Sequence, residues 1–510
     1  MTVTRGPGLI LMLAAAVTCV AWSWIPLTIS VPNERTRAYL TMALVERGSL
    51  QVDAEVARFG RVIDIAKHDA HYYTDKAPGT SFLGAPVYAV ARAFTPSAEW
   101  TATDVLALLR RALMLPVALL GLFALQRLLL ALGVSAASAA LASVVWPLAT
   151  TALHYAGALL GHHLVAVALV VSLWFAVFGR AAEGRGAWVL AFGAGALAGV
   201  AGFIEYQAGP ACAVLGVWFL ISERRRPLAL VAFALGVAPF AALLLSYNNA
   251  AFGSPFALSY THVATAGFAS NHNHGIGGID VPKLDAIGGL LLSARRGWLV
   301  TTPVMLLALP GCYWLARKDR GLGVAIALMI TLQVVVIAGF DGWWGGWAYG
   351  PRLLLPVLGA ACVAIGFAFD ALRTRAWGVA LVAAVLLIGA VQSGLMQATF
   401  FEAPEELENP LYDVAFPTIE RGLCAPSFGQ ALGFSRCGAQ LPAALLALLV
   451  LGAAFLNWSR EVALRARALS LGAAALALVL MLAFTERAHR SPPRELEGTM
   501  RFIAKHQPPD

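Results

Sequence analysis

The chain has 510 residues, 59% of them hydrophobic and only 13% charged, with a formal net charge of +8. A soluble globular domain sits nearer half apolar and a quarter charged, so this composition excludes one and points to a polytopic membrane protein. The positive balance does not signal nucleic acid as a partner. Much of it lies in short clusters between apolar runs, at Arg224-Arg225-Arg226, Arg317-Lys318-Arg320, Arg373-Arg375 and Arg460-Arg465-Arg467, which is how cytoplasmic loops of membrane proteins are marked.

The apolar residues fall in runs of roughly twenty, about the hydrocarbon thickness when helical, and they do not alternate as barrel strands do. The first run, Leu9 to Val31, is longer than a signal-peptide core and is followed by no small-residue cleavage site, so it is expected to stay as a membrane helix. Ser81 to Phe94 is short and carries Pro86 and Arg92. Counting it as a span would turn every later basic cluster outward, so it is expected to lie at the interface. Further spans are expected near 106–132, 136–156, 159–179, 187–204, 207–222, 227–247, 297–316, 322–340, 353–372, 377–397, 441–458 and 468–485. The expected fold class is an all-α polytopic membrane protein, one integral domain over 1–510 with about thirteen transmembrane helices.

With Arg5 inside, the long polar segments 32–104, 248–296, 398–440 and the tail 487–510 fall on the outer face, and only short connections remain inside. Long loops in a compact protein are usually functional or disordered, so chemistry or recognition is expected outside. The first of these loops gathers Asn33, Glu34, Asp53, Asp64, Asp75 and Lys76.

Asn33 and Glu34 suit the start of a helix that stops at Gly48, a cap and a dipole partner, yet the same placement would let Glu34 take a proton from an acceptor hydroxyl. Asp75 to Gly79 has turn composition. It also sets Lys76 beside Tyr72 and Tyr73 at the lip of an apolar segment, where a cation can hold a phosphate at headgroup depth. Arg110, Arg111, Arg295, Arg296 and Arg352 lie at outer ends, where the positive-inside rule disfavours them. Each alone is explained by snorkelling, whereas several together favour an anionic ligand. The run Asp341 to Arg352, with Trp343, Trp344 and Trp347, reads equally as an aromatic belt or a sugar-stacking surface.

His154, His162, His163, Glu205 and Tyr206 sit at outer helix ends, where an ionisable group is a functional candidate. His262, His272 and His274 lack the spacing of a zinc site. Four cysteines lie in apolar runs, and Cys424 and Cys437 share one outer loop, where an oxidising compartment would join them. No cofactor is called for, although a divalent cation is left open.

Asn33-Glu34-Arg35 after the first span, its spacing to Tyr72-Tyr73-Thr74-Asp75-Lys76-Ala77-Pro78-Gly79, and the many-helix plan resemble the membrane-embedded GT-C glycosyltransferases. The nearest named relatives in that resemblance are the lipid A aminoarabinose transferases and protein O-mannosyltransferases. Tyr247-Asn248 to Phe252-Gly253-Ser254-Pro255 and Trp344-Gly345-Gly346 to Gly350-Pro351-Arg352 are similar to further bacterial members.

The resemblance implies a polyprenyl-phosphate sugar donor, membrane lipids around it, and a glycan, lipid or protein acceptor reached from the periplasm. It also implies an acidic base in the first outer loop and transfer with inversion. On it Glu34 is the expected base and Lys76 a donor-phosphate contact, with Arg352, Arg296 and Tyr73 beside it. Relatives often carry Asp-Glu where this chain has Asn33-Glu34, so Asp75 and Asp53 stay candidates; Asn33, His162, Glu205, Asp341 and Trp344 complete the expected site. A transporter or flippase of lipid-linked glycans would instead show repeat halves and charges at the midplane, and a polymerase or ligase using polyprenyl-diphosphate glycans would differ mainly in donor.

Overall fold

The computed structural model describes residues 7–24, 31–272, 275, 277–400, 402–488 and 491–506. The end of the first expected span at 25–30, His274, and the last four residues of the expected tail lie outside the described residues.

Helix follows helix for most of the chain, as the apolar runs dictate. Among the described residues, nine helices are long and apolar enough to cross a membrane: Ala102–Ala131, Gly161–Ala181, Gly184–Ile204, Pro227–Phe252, Arg320–Ala338, Arg352–Leu372, Ala376–Ala398, Gly438–Trp458 and Leu464–Glu486. Gly8–Ser23, Ala136–Leu148 and Tyr206–Ser222 are shorter apolar helices. The protein is a multi-pass membrane protein; by length and apolarity alone these nine helices and three shorter ones stand beside the expected count of about thirteen.

Proline interrupts two of the expected helices. The expected span at 297–316 is broken into Trp298–Thr301, a tighter turn at Pro303–Leu307 and a helix at Ala308–Lys318, because Pro303 removes a backbone donor and blocks a continuous α-helix. The expected 136–156 span likewise stops at Leu148, one residue past Pro147, and restarts as Ala152–Ala156. By contrast, Pro227–Phe252 runs past the expected end at 247, and Gly253 closes it in the left-handed conformation, φ 75°.

Burial sorts the helices into layers. Arg352–Leu372 is buried along nearly its whole length, whereas Pro227–Phe252 and Leu464–Glu486 turn most of their surface outward. Leu228, Val231 and Leu235 on the first of these outward helices are each more than half exposed. Such apolar faces are costly in water and cost nothing against lipid.

Ion pairs and hydrogen bonds tie the basic clusters into one end of the bundle. Arg180 pairs with Asp319 at 2.5 Å, Arg226 donates to the carbonyls of Gly179 and Ala182, and Arg373 pairs with Glu461. The polar first loop is at the other end.

That loop is not irregular. After α1 (Pro7–Ser23) come α2 (Pro32–Arg47) and α3 (Asp53–Phe59), then an antiparallel hairpin of β1 (Ile65–His68) and β2 (His71–Thr74), then α4 (Gly79–Phe94) and α5 (Ala102–Leu109). Gly48 ends α2 at φ 61°, the left-handed cap that its missing Cβ permits. Helix α4 lies against α2, with the Tyr88 hydroxyl donating to Glu46 at 2.5 Å. Residues 259–265 clasp the hairpin, the Ala264 amide donating to the Ile65 carbonyl at 2.9 Å and the Thr265 hydroxyl to the Ile63 carbonyl at 2.9 Å.

Candidate active site

The first turn of α2 supplies two of the site's side chains. Pro32 at its start has no amide proton to lose there, and Glu34 comes two residues later, fully buried. One Glu34 oxygen, Oε1, accepts from Arg110 Nε at 2.9 Å and from the Leu159 amide at 2.6 Å. The other, Oε2, accepts from Arg110 Nη2 at 2.5 Å and from the Val31 amide at 3.4 Å. A carboxylate has about four acceptor sites, and these contacts fill them. Glu34 therefore locks α2 to the 102–131 helix and to the turn before Gly161, and in this arrangement it has no acceptor site left for an incoming proton. Arg110 reaches it from a π-turn, Arg110–Met114, where the helix carries a wider ring; such turns recur at functional sites.

One helical turn beyond Asn33 stands Arg37, only 1% exposed. The i, i+4 spacing puts both on one face, and Arg37 donates to Asn33 Oδ1 at 3.0 Å, Thr80 Oγ1 at 2.8 Å and Glu205 Oε1 at 2.5 Å. The ring of His162 approaches the same Glu205 oxygen at 3.8 Å. Burial alone would raise the Glu205 carboxyl, but Arg37, His162 and Lys76 outweigh it and hold it below its usual range. The turn is crowded: a Cβ at Gly161 would stand 2.5 Å from Glu205 Oε1, so only glycine lets the helix start there.

The turn after β2 holds the third group. Asp75 is 2% exposed, its Oδ2 accepts from Lys76 Nζ at 2.8 Å, and its Oδ1 has no hydrogen-bond partner among the described residues. Burial is the main cause that pushes its carboxyl up to about 6, against the pull of Lys76 and with a further push from Asp64. Lys76 also sits 3.7 Å from Asp64 and faces the Tyr260 ring at 5.8 Å. Burial would lower the Lys76 ammonium, but Asp64 and Asp75 more than compensate and hold it above its usual range. The backbone of this turn is fixed from the 248–296 segment, the Ser259 hydroxyl donating to the Asp75 carbonyl at 2.7 Å.

Arg352 completes the polar cluster. Its charge acts on Lys76, His162 and Glu402, it donates weakly to the Trp347 carbonyl at 3.5 Å, and it makes no ion pair among the described residues. Arg296, fully buried, is different. Its guanidinium donates to the carbonyls of Trp344 (2.9 Å), Gly346 (2.7 Å), Ala403 (3.2 Å) and Arg295 (3.1 Å). It staples two loops together and has little left for a phosphate.

The remaining expected residues lie outside this cluster or line it without polar contact. Asp53 stands at the start of α3 and holds the hairpin through the Tyr72 amide (3.0 Å) and His71 (3.1 Å). Asp341 pairs with Lys283 at 2.5 Å. Trp344 donates to Glu405. Tyr73 is buried against Phe252, ring centroids 5.5 Å apart. Cys424 and Cys437 are joined by a disulfide, Cα atoms 5.0 Å apart.

Sequence reasoning missed Arg37, whose i+4 spacing from Asn33 was the available signal, and Glu402, for which the acidic run Glu402, Glu405, Glu406, Glu408 gave none. Among the described residues, no group of three or more His, Cys, Asp or Glu side chains is placed to hold a metal ion. Asp64 and Asp75 share the Lys76 ammonium.

The mostly helical membrane bundle, with a structured polar first loop, is similar in fold to solved membrane oligosaccharyltransferases. The structure of the archaeal oligosaccharyltransferase AglB from Archaeoglobus fulgidus, in complex with an inhibitory peptide and a dolichol-phosphate, is similar at 12% identity and a TM-score of 0.50, over 79% of this chain and 57% of that one. The apo form of the Archaeoglobus fulgidus oligosaccharyltransferase gives 13% and 0.51 over the same shares, so this chain spans little more than half its length. ArnT from Cupriavidus metallidurans bound to undecaprenyl phosphate gives 15% and 0.48, over 92% of this chain and 77% of that one. No protein-family profile and no curated protein matches the sequence.

Proposed function

We propose that the protein is an inverting glycosyltransferase that moves a sugar from a polyprenyl-phosphate donor to a glycan, lipid or protein acceptor of the cell envelope, on the outer face of the bacterial cytoplasmic membrane. The observation that carries this reading is the buried Asp75–Lys76 pair, with an unoccupied carboxylate oxygen and Arg37 and Arg352 within electrostatic reach. In its support, the archaeal oligosaccharyltransferase of the same fold was solved with a dolichol-phosphate. The basic clusters gathered at the opposite end favour a site that faces outward.

In this mechanism Asp75 Oδ1 takes the proton of the acceptor hydroxyl as its oxygen attacks the anomeric carbon from the side away from the phosphate. The bond from that carbon to the phosphate oxygen breaks, the electron pair leaves with the polyprenyl phosphate, and Lys76 and Arg352 stabilise the charge that develops there. Asp75 is preferred to Glu34 as base because the acceptor sites of Glu34 are all occupied. Arg37 and Glu205 fix α2 against the turn and hold the cluster in register.

The test is transfer and donor binding in reconstituted protein with a panel of polyprenyl-phosphate sugars. Asp75→Asn is expected to cut turnover by roughly 10²–10⁴-fold with binding kept, the usual contribution of a positioned base. Lys76→Met is expected to weaken binding itself, since a lost charged hydrogen bond is worth about 1.5–3 kcal/mol. An Asp75→Asn protein that turns over normally would end the assignment of the base.

A further inference from the structure

Glu402 has no part in the mechanism above, yet it is a buried carboxyl with an open oxygen. It follows the Ala376–Ala398 helix, is 3% exposed, and its Oε1 has no hydrogen-bond partner among the described residues. The Nε of Arg352 is likewise buried without one. The Arg352 charge acts on the Glu402 carboxyl, and no hydrogen bond joins the two among the described residues.

This juxtaposition is built, not incidental. The Ala403 carbonyl accepts from the Ala348 amide at 3.0 Å and from Arg296 Nη2 at 3.2 Å, and the same guanidinium nitrogen takes the Gly346 carbonyl at 2.7 Å. Residues 402–403 are thus pinned alongside 344–348, the stretch that leads through Gly350-Pro351 to Arg352. Phe400 packs on Trp347, centroids 6.3 Å apart, from the other side.

A buried acceptor and a buried donor left open within electrostatic reach of each other are expensive to hold unless a ligand serves both. A phosphodiester would satisfy Arg352 but has no hydrogen to offer the open Glu402 oxygen, and a prenyl chain would satisfy neither. A sugar hydroxyl donates to the one and accepts from the other. Arg352 also feels Lys76, so the phosphate side and this side share that arginine. We infer that Glu402 and the Nε edge of Arg352 form the subsite for hydroxyl groups of the transferred sugar, beside the phosphate site of Lys76. This inference rests on the glycosyl-transfer reading and adds to it which residues select the sugar.

The experiment measures binding of undecaprenyl phosphate and of undecaprenyl-phosphate glucose, mannose and galactose to full-length protein in nanodiscs. In the wild type at least one sugar-bearing lipid is expected to bind tenfold or more tighter than the bare phosphate. Glu402→Ala is expected to bring that lipid to within twofold of undecaprenyl phosphate, whose own affinity is unchanged. Should the alanine protein fail to fold, Glu402→Gln, which keeps the shape, is expected to narrow the preference at least threefold. A wild type with no preference for any sugar-bearing lipid would overturn the subsite, and so would a Glu402 variant that keeps the preference or weakens both kinds of lipid alike. A wild type that binds no undecaprenyl lipid at all would overturn the transferase reading with it.

Discussion

Replacing Glu34 with Gln removes a charge and keeps the shape, which makes it the sharpest perturbation of the α2 anchor. The native carboxylate takes two bonds from Arg110 and one each from the Leu159 and Val31 amides, and the two side chains are 0% and 3% exposed. Removing one partner of a buried pair costs about 3–5 kcal/mol, because the other charge is left uncompensated. Here a second carboxyl can respond. Glu402 is held well above the ordinary carboxyl range first by burial and then by the Glu34 charge, while Arg110 pulls it down.

With Glu34 neutral that push vanishes, Glu402 ionises more readily, and Arg110 regains part of its counter-charge. The single variant is therefore expected at the lower end, about 3 kcal/mol, and Glu34→Gln with Glu402→Gln at the upper end, about 5 kcal/mol, the difference appearing as non-additivity in the double-mutant cycle. Equilibrium unfolding in mixed micelles measures both, and turnover per folded molecule for Glu34→Gln is expected to stay within about tenfold of the wild type, a change of 1.4 kcal/mol in the barrier. A Glu34→Gln protein as stable as the wild type but slower by roughly 10²–10⁴-fold would make Glu34 the base and refute this reasoning.

Because Asp75 must be ionised to take a proton and its carboxyl is pushed up to about 6, chiefly by burial, turnover is expected to fall as pH drops through about 6; a rate–pH profile flat down to 5 would contradict it. Arg296→Ala strips the part-buried carbonyls of Trp344 and Gly346 of their donor, at about 1–3 kcal/mol for each left unsatisfied, while Ala403 keeps the Ala348 amide. A melting curve should show that loss, and Arg296→Lys should restore little of it, since an ammonium lacks the planar fork. Cys424→Ser opens a loop with a sequence separation of 13, an expected loss of about 3 kcal/mol on the chain-entropy account. Non-reduced peptide mapping of the wild type should recover the two cysteine peptides as one species.

Hydropathy and charge clusters carried the fold class, because lipid imposes helix length and basic loops impose orientation. They drew 136–156 and 297–316 as unbroken helices, where Pro147 and Pro303 interrupt an apolar run. At the site, Glu34, Asp75, Lys76, Glu205, His162 and Arg352 were legible, each being an ionisable group where a membrane protein rarely keeps one. Their roles were not. Nothing in the letters says that Glu34 is saturated by Arg110 and two amides, or that Arg296 is consumed by carbonyls, because both depend on partners 76 and 48 residues away in sequence. Glu402 stands in sequence beside Glu405, Glu406 and Glu408, and its burial separates it from them.

The π-turn at Arg110–Met114 has an evolutionary reading. A π-turn closes its hydrogen bonds over one residue more than an α-turn, so it holds one surplus residue in a wider ring while the helix on either side keeps its own phase. Residue-for-residue alignment through 110–114 would then slip by one against any relative lacking the insertion. At the 12–13% identity of the oligosaccharyltransferase structures, a slip of that kind would pair Arg110 with the wrong helix face. A single-residue gap placed at this ring keeps Leu115–Ala131 in phase with its counterparts while leaving Ala102–Leu109 in its own.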